Sequence, residues 1–309
     1  MLLTDLLLVI GSLAVLALAA SQFITGASRI ATALGASPLF IGAVLVGTGT
    51  SLPDGLVSGF AAARGDGALA LGNVIGSNTF NTTLVLGAAA TITVVMVARR
   101  TLRREALLSG GAVALFLVVA AIGLNLVTGL ILLLLAPAAL WAIRGHPPEP
   151  SVRPKDDEAS ISMPVEAIRS VLGLAFTVLS SRALVEGANG LATDLGVSEA
   201  VIGLTLVAIG TSIPELAVSI QAARQKETDI LVGNVLGSNL MNSLLIGGVI
   251  GILSPETVSL GSLAPAGILM VVVTVIATWF LATGRKLVRW EGWALIGGYL
   301  VATAVVSVI

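Results

Sequence analysis

The 309-residue chain contains no cysteine and only one histidine, His146. Disulfides and thiolate metal sites are therefore excluded, and a zinc or copper centre has almost no ligands to draw on. Charge is scarce as well. Asp, Glu, Lys and Arg make up 11% of the residues, against about 25% in soluble domains, so the chain cannot cover itself with a polar surface. Its net charge of −1 offers no basic stripe to a nucleic acid.

Apolar residues are abundant instead: 56% of the chain, with a mean hydropathy of +1.04. The apolar runs approach or exceed the roughly 20 residues that cross a bilayer as a helix. The class that follows is an all-α polytopic membrane protein, with the lipid bilayer as its solvent. Hydropathy gives ten spans, near 3–25, 38–63, 68–97, 105–122, 125–144, 166–190, 199–223, 229–253, 262–283 and 289–308. The opening MLLTDLLLVI lacks a basic leader and a clear small-residue exit, so it reads as a retained helix rather than a signal peptide.

One connection is long and polar, RGHPPEPSVRPKDDEAS at 144–160, and His146 is solvated within it. It divides the chain into a first five-helix repeat (1–145), a linker (146–164) and a second five-helix repeat (165–309). Of the sixteen Lys and Arg residues, all but Arg64 and Arg182 fall in or beside odd-numbered connections. By the positive-inside rule those connections are cytoplasmic, and both termini lie outside the cytoplasmic (inner) membrane.

Shifting the sequence by 161 residues aligns about 60 positions without a gap. TALGASPLFIGAVLVGTGTSLPDGLVSGFAA pairs with TDLGVSEAVIGLTLVAIGTSIPELAVSIQAA, and LGNVIGSNTFN pairs with VGNVLGSNLMN. Five spans is an odd number, so the second copy enters the membrane in the opposite sense. Such inverted repeats place a substrate site near the midplane, on interrupted helices. A duplicated scaffold need not preserve polar positions, yet here the polar positions are what match.

Two polar clusters recur in each half. The first is Gly49, Thr50, Ser51, Pro53 and Asp54, answered by Gly210, Thr211, Ser212, Pro214 and Glu215. A carboxylate at membrane depth costs roughly 2 to 4 kcal/mol even on lenient insertion scales. Each proline obstructs the carbonyl four residues back, that of Gly49 or Gly210. Freed carbonyls at membrane depth must face protein or a hydrated cavity, where they can ligate a cation. The second cluster is Gly72, Asn73, Gly76, Ser77, Asn78 and Asn81, repeated as Gly233, Asn234, Gly237, Ser238, Asn239 and Asn242. Its glycines suit close helix packing, and Asn73, Asn78, Asn234 and Asn239 suit interhelical hydrogen bonds as well as ion contact. Asn81 and Asn242 lie one turn deeper and are the better cavity candidates.

Oxygen-only donors of this kind suit hard cations, and calcium takes six to eight of them. Two acids brought together call for about two positive charges: one Ca2+, two Na+ or two protons. Elsewhere, Arg182 and Glu186 are spaced to pair on one helix, and Asp66, Glu227 and Asp229 read as solvated helix ends. The basic cluster at 99–104 reads as a topology anchor.

At these residues the sequence resembles the cation/calcium exchanger superfamily, and within it the prokaryotic sodium/calcium antiporters. The resemblance spans nearly the whole chain: ten helices, two inverted repeats and both motifs in each. It implies an antiporter exchanging Ca2+ for Na+ by alternating access, a monomer needing no cofactor. It implies that Asp54 and Glu215 are the central ligands and that Thr50 and Thr211 give backbone oxygens to calcium. Ser51, Ser77, Ser212 and Ser238, with the carbonyls of Gly47 and Ala208, would complete flanking sodium sites. Asn81 and Asn242 would line the middle position, and spans one and six would slide across the bundle.

Two departures stand out. Asp54 replaces the usual glutamate, shortening the reach by one methylene. Both middle positions are asparagine, where some sodium exchangers carry an aspartate. Two acids rather than three bring H+/Ca2+ exchange within reach as the second reading. A passive cation channel would also put carboxylates in the membrane, but around a symmetric pore. An intramembrane enzyme is disfavoured, since no nucleophile–base pair or hydrolase motif accompanies the acids.

Overall fold

The computed structural model describes residues 2–98, 102–143, 162–194 and 210–308. Helix α1 runs Leu2–Leu34. Helices α2, Pro38–Thr50, and α3, Leu52–Ala63, form a pair bent by 47°. Helix α4 (Gly67–Phe80) passes through a π-helical turn at Asn81–Val85 into α5 (Leu86–Ile92). Helices α6 (Leu107–Ile122) and α7 (Leu126–Ile143) complete the first half.

The second half comprises α8 (Met163–Asp194), α9 (Ile213–Arg224) and α10 (Thr228–Met241). A π-helical turn at Asn242–Ile246 leads into α11 (Gly247–Leu253), followed by α12 (Ala264–Gly284) and α13 (Arg289–Val308). The 161-residue offset therefore recurs residue for residue in α3/α9, α4/α10, the two π-helical turns and α5/α11. Most of the linker, and the expected span near 199–223 up to Ile209, lie outside the described residues.

Among the described residues six helices are long and apolar enough to cross a membrane, or seven if the bent pair is one span. The expected spans near 68–97 and 289–308 are helical too. Two boundaries differ from expectation. Helix α1 continues nine residues past Thr25, to Leu34, because the polar residues there find partners on a neighbouring turn. The span near 68–97 stops at Ile92 because Val95–Met96 becomes extended and pairs antiparallel with Lys286–Leu287. The described fold is thus helical apart from this short pair and one isolated bridge, Leu124 with Val258. These contacts obey the repeat: the Val97 N–H donates to the Arg285 carbonyl at 2.9 Å, and the Val258 N–H to the Leu124 carbonyl at 2.8 Å.

Burial is inverted relative to a water-soluble protein. Large aliphatic side chains line the outside, with Leu18, Ile122, Leu134 and Val275 each more than half exposed. Asparagines, serines, threonines and carboxylates lie inside. Such a surface is stable only against lipid, so this is a multi-pass membrane protein.

The bend follows from sequence. Pro53 and Pro214 occupy the first turns of α3 and α9, where a missing N–H costs nothing. The Pro53 ring prevents α2 from running straight into α3. Ser51 (φ −80, ψ 3) and Ser212 (φ −103, ψ 4) absorb the break in the bridge region. At their far ends α3 and α9 stop at the same left-handed position, Gly65 (φ +81) in one copy and Lys226 (φ +61) in the other.

Glycine sets the closest approaches. A Cβ on Gly237 of α10 would lie 2.5 Å from Ala43 Cα, and one on Gly47 of α2 would lie 2.9 Å from the Ser238 nitrogen. Helices α1 and α8 run antiparallel, with Gly173 against Phe23 at one level and Gly187 against Val9 at another. Arg29 and Arg169 both reach buried Glu166, at 2.9 and 3.1 Å.

Candidate cation-binding site

Asp54 and Glu215 stand in the first turns of α3 and α9, at the positive ends of the two helix dipoles. Both are shut off from solvent, at 0% and 1% exposure. Their hydrogen-bond partners are hydroxyls and an amide rather than arginine or lysine.

The surroundings form pairs related by the 161-residue offset. Asn78 Nδ2 donates to Ser243 Oγ at 2.9 Å, and Asn239 Nδ2 donates to Thr82 Oγ1 at 2.8 Å. Asn73 Nδ2 donates to Ser58 Oγ at 3.0 Å, and Asn234 Nδ2 to Ser219 Oγ at 2.9 Å. Thr50 Oγ1 donates to Asn234 Oδ1 and Thr211 Oγ1 to Asn73 Oδ1, both at 3.3 Å. Four of the motif asparagines are therefore structural fasteners. Their partners Ser58, Ser219, Thr82 and Ser243 were not singled out in the sequence, although each pair is related by the same 161-residue offset.

Symmetry breaks at the acids. Ser51 Oγ donates to Glu215 Oε1 at 3.0 Å. Its counterpart Ser212 does not reach the shorter Asp54; it donates to Ser77 Oγ at 3.2 Å, and Ser77 Oγ donates to Asp54 Oδ1 at 2.9 Å. Asn242 Nδ2 donates to Asp54 Oδ2 at 3.3 Å. Ser238 Oγ donates to the Gly47 carbonyl at 3.2 Å. Thus Asp54 is held on both oxygens, whereas Glu215 is held on one.

Several buried polar atoms are left without a partner: Glu215 Oε2, Asn242 Oδ1, and both Oδ1 and Nδ2 of Asn81. Leaving such groups unpaired costs about 1–3 kcal/mol each, more when charged. Glu215 stands in the first turn of α9, and Asn81 and Asn242 open the two π-helical turns. Among the described residues no three of His, Cys, Asp and Glu gather anywhere. A cation here would rest on two carboxylates plus neutral oxygens, a donor set for a hard ion. Ser51 also lines a cavity of about 220 Å3 with Thr48, Leu52, Met241 and Leu245, and Glu215 is not part of that lining.

The expected site residues fall into two hydrogen-bonded groups, Glu215 with Ser51, Gly47, Thr50 and Ser238, and Asp54 with Ser77, Ser212, Asn242 and, through Asn73, Thr211. Asn81 is fully buried, but its side chain hydrogen-bonds to neither group. Ala208 lies outside the described residues. Two peripheral expectations change. Glu227 is half-buried rather than solvated, because it accepts a 2.8 Å hydrogen bond from Ser28. Arg182 and Glu186 are exposed and make no ion pair with each other.

A family model described as sodium/calcium exchanger protein matches residues 4–143 and 166–308. The putative antiporter CaxA of Alkalimonas amylolytica is 34% identical over 311 residues, spanning 97% of each chain. The sodium/calcium exchanger MaX1 of Methanosarcina acetivorans is 29% identical over 341 residues, again 97% of each. A solved structure of the sodium-calcium exchanger NCX_Mj, soaked with 100 mM Na+ and 10 mM Sr2+, aligns with a TM-score of 0.87 at 29% identity, covering 98% of this chain and 99% of that one.

Proposed function

The chain belongs to the sodium/calcium exchanger family, and on that premise we propose that it is a secondary antiporter exchanging Ca2+ for Na+ across the cytoplasmic membrane. The family is one of transporters, not enzymes. The observation that carries the reading is the pair of fully buried acids in the first turns of two proline-led helices 161 residues apart, with Glu215 Oε2 and the middle asparagine oxygens unpartnered.

In this reading the ten spans form two inverted five-helix repeats, 1–145 and 165–309, joined by the 146–164 linker. Odd connections are cytoplasmic and both termini outside. Asp54 and Glu215 supply two negative charges that one Ca2+ or two Na+ neutralise, and competition for them couples the two fluxes. Thr50 and Thr211 contribute backbone oxygens to calcium. Ser51, Ser77, Ser212 and Ser238, with the carbonyls of Gly47 and Ala208, serve the flanking sodium positions, and Asn81 and Asn242 line the middle. Helices α1 and α8, packed glycine to backbone, slide as one body to expose the site to each side in turn. In this reading the antiporter acts as a monomer.

Proton coupling is the second reading, favoured by a middle layer holding two amides and no third acid. Calcium uptake into proteoliposomes separates the two, driven in parallel by an outward Na+ gradient and an outward H+ gradient. Uptake with sodium alone supports the first reading. Uptake with protons alone replaces it with the second, and uptake that ignores both gradients refutes antiport.

A further inference from the structure

At one end of the α1–α8 pair, α1 is fastened to the turn between α9 and α10. Gln225 Nε2 donates to Ser21 Oγ at 3.1 Å and to the Ser21 carbonyl at 3.3 Å. Thr25 Oγ1 donates to Gln225 Oε1 at 3.5 Å, and Ser28 Oγ donates to Glu227 Oε1 at 2.8 Å. This end is held by neutral groups and one carboxylate.

The repeat carries those positions to the other end. Shifted by 161 residues, Ser21 and Thr25 become Arg182 and Glu186 on α8. Gln225 and Glu227 become Arg64 and Asp66, in the turn between α3 and α4. All four of these residues are exposed. Arg64, Arg182 and Glu186 have no ion-pair partner among the described residues. Among the described residues, therefore, the contacts of Ser21 and Thr25 have no equivalent at Arg182 and Glu186.

The same two arginines are the exceptions to the charge bias. Every other Lys or Arg lies in or beside a connection of the opposite side. Membrane topology has no use for positive charge at Arg64 and Arg182. Charge complementarity across a closing gap would use part of it: the offset carries the Thr25–Gln225 contact onto Glu186–Arg64, while it carries the Ser21–Gln225 contacts onto Arg182–Arg64.

We propose that Arg64, Asp66, Arg182 and Glu186 are an ionic latch that closes the outer end of the α1–α8 pair in the state opposite to the one described. The proposal rests on the antiporter reading, in which the two repeats exchange conformations as the pair slides. The Thr25–Gln225 contact then maps onto Glu186–Arg64, with opposite charges. Arg182 passes over the same turn, where Asp66 balances it and offsets its repulsion from Arg64. Hydrogen bonds from uncharged donors hold one end shut and ion pairs hold the other, so the two closed states respond differently to salt. Surface ion pairs are screened over about 10 Å at 0.1 M ionic strength, while the Ser28 and Gln225 contacts are far less sensitive.

The native chain has no cysteine, so the gap can be tested with Arg64→Cys/Glu186→Cys directly. In proteoliposomes a short bis-maleimide is expected to bridge the pair in the turning-over exchanger and to block calcium flux. The Arg64→Glu single variant should slow exchange about two- to five-fold, the worth of a surface ion pair. Adding Glu186→Arg should restore most of that loss. The latch is overturned if no bridge forms under any ion condition while the wild type exchanges normally, or if the charge-swapped double is no faster than either single. A bridge that forms in a protein showing no ion-coupled exchange would keep the latch and overturn the antiporter reading instead.

Discussion

Replacing Glu215 by glutamine separates the fold from the function. The side chains are isosteric, and the amide would keep an oxygen to accept the 3.0 Å hydrogen bond from Ser51. What the fold loses is the difference between a charge-assisted and a neutral hydrogen bond, about 1 kcal/mol. Removing the charge also relieves the cost of burying a carboxylate at 1% exposure. Stability should therefore change little, in either direction. A bound calcium ion would lose far more. At the roughly 2.4 Å of a Ca–O contact and an effective dielectric of about 20, one carboxylate attracts it by about 14 kcal/mol before dehydration is subtracted. If only about a tenth of that survives, about 1.4 kcal/mol, affinity still falls roughly tenfold. Sodium, with half the charge, should suffer less. The assay is sodium-driven calcium uptake alongside a detergent melting curve. Wild-type uptake by a normally folded Glu215→Gln protein would refute the reasoning.

Other perturbations probe separate parts of the argument. Asp54→Glu should let Ser212 donate to the carboxylate as Ser51 does to Glu215. That gain of about 1.5–3 kcal/mol is reduced by fitting a methylene into a packed site, leaving up to about tenfold tighter calcium half-saturation. Weaker or unchanged half-saturation would argue that the shorter acid is not what limits contact. Gly237→Ala would drive a methyl group into the backbone at Ala43, 2.5 Å away. It should lower the melting temperature by an amount matching about 1–3 kcal/mol, while Gly11→Ala, which meets nothing within 4 Å, should not. Lys226 sits at φ +61, where its counterpart is Gly65. Lys226→Gly should relieve up to about 1 kcal/mol of left-handed strain, and a lowered melting temperature would contradict that.

Much of the site was legible because the chain states it twice. A single carboxylate in an apolar segment is ambiguous, but Asp54 and Glu215 in matching Thr-Ser-x-Pro frames are not, and the bend between α2 and α3 follows from Pro53. What could not be read were partners set by tertiary packing. Glu166 looked like the start of a span, yet it anchors Arg29, 137 positions away. Glu227 looked like a solvated turn, yet Ser28 reaches it from 199 positions away. No local periodicity encodes such pairs. The repeat held a partial clue, since Glu166 aligns with Asp5 and Glu227 with Asp66. The early stop of the third span was hidden for the same reason: the residues that draw Val95–Met96 into an extended pair lie at 286–287.

The most direct measurement is anomalous diffraction from crystals of the protein soaked in strontium. A cation bound as described should give a peak within about 3 Å of Glu215 Oε2, on the Asp54 side, and the peak should vanish in Glu215→Gln. A strong peak elsewhere, with nothing between Asp54 and Glu215, would contradict the assignment of these two acids as the transport site.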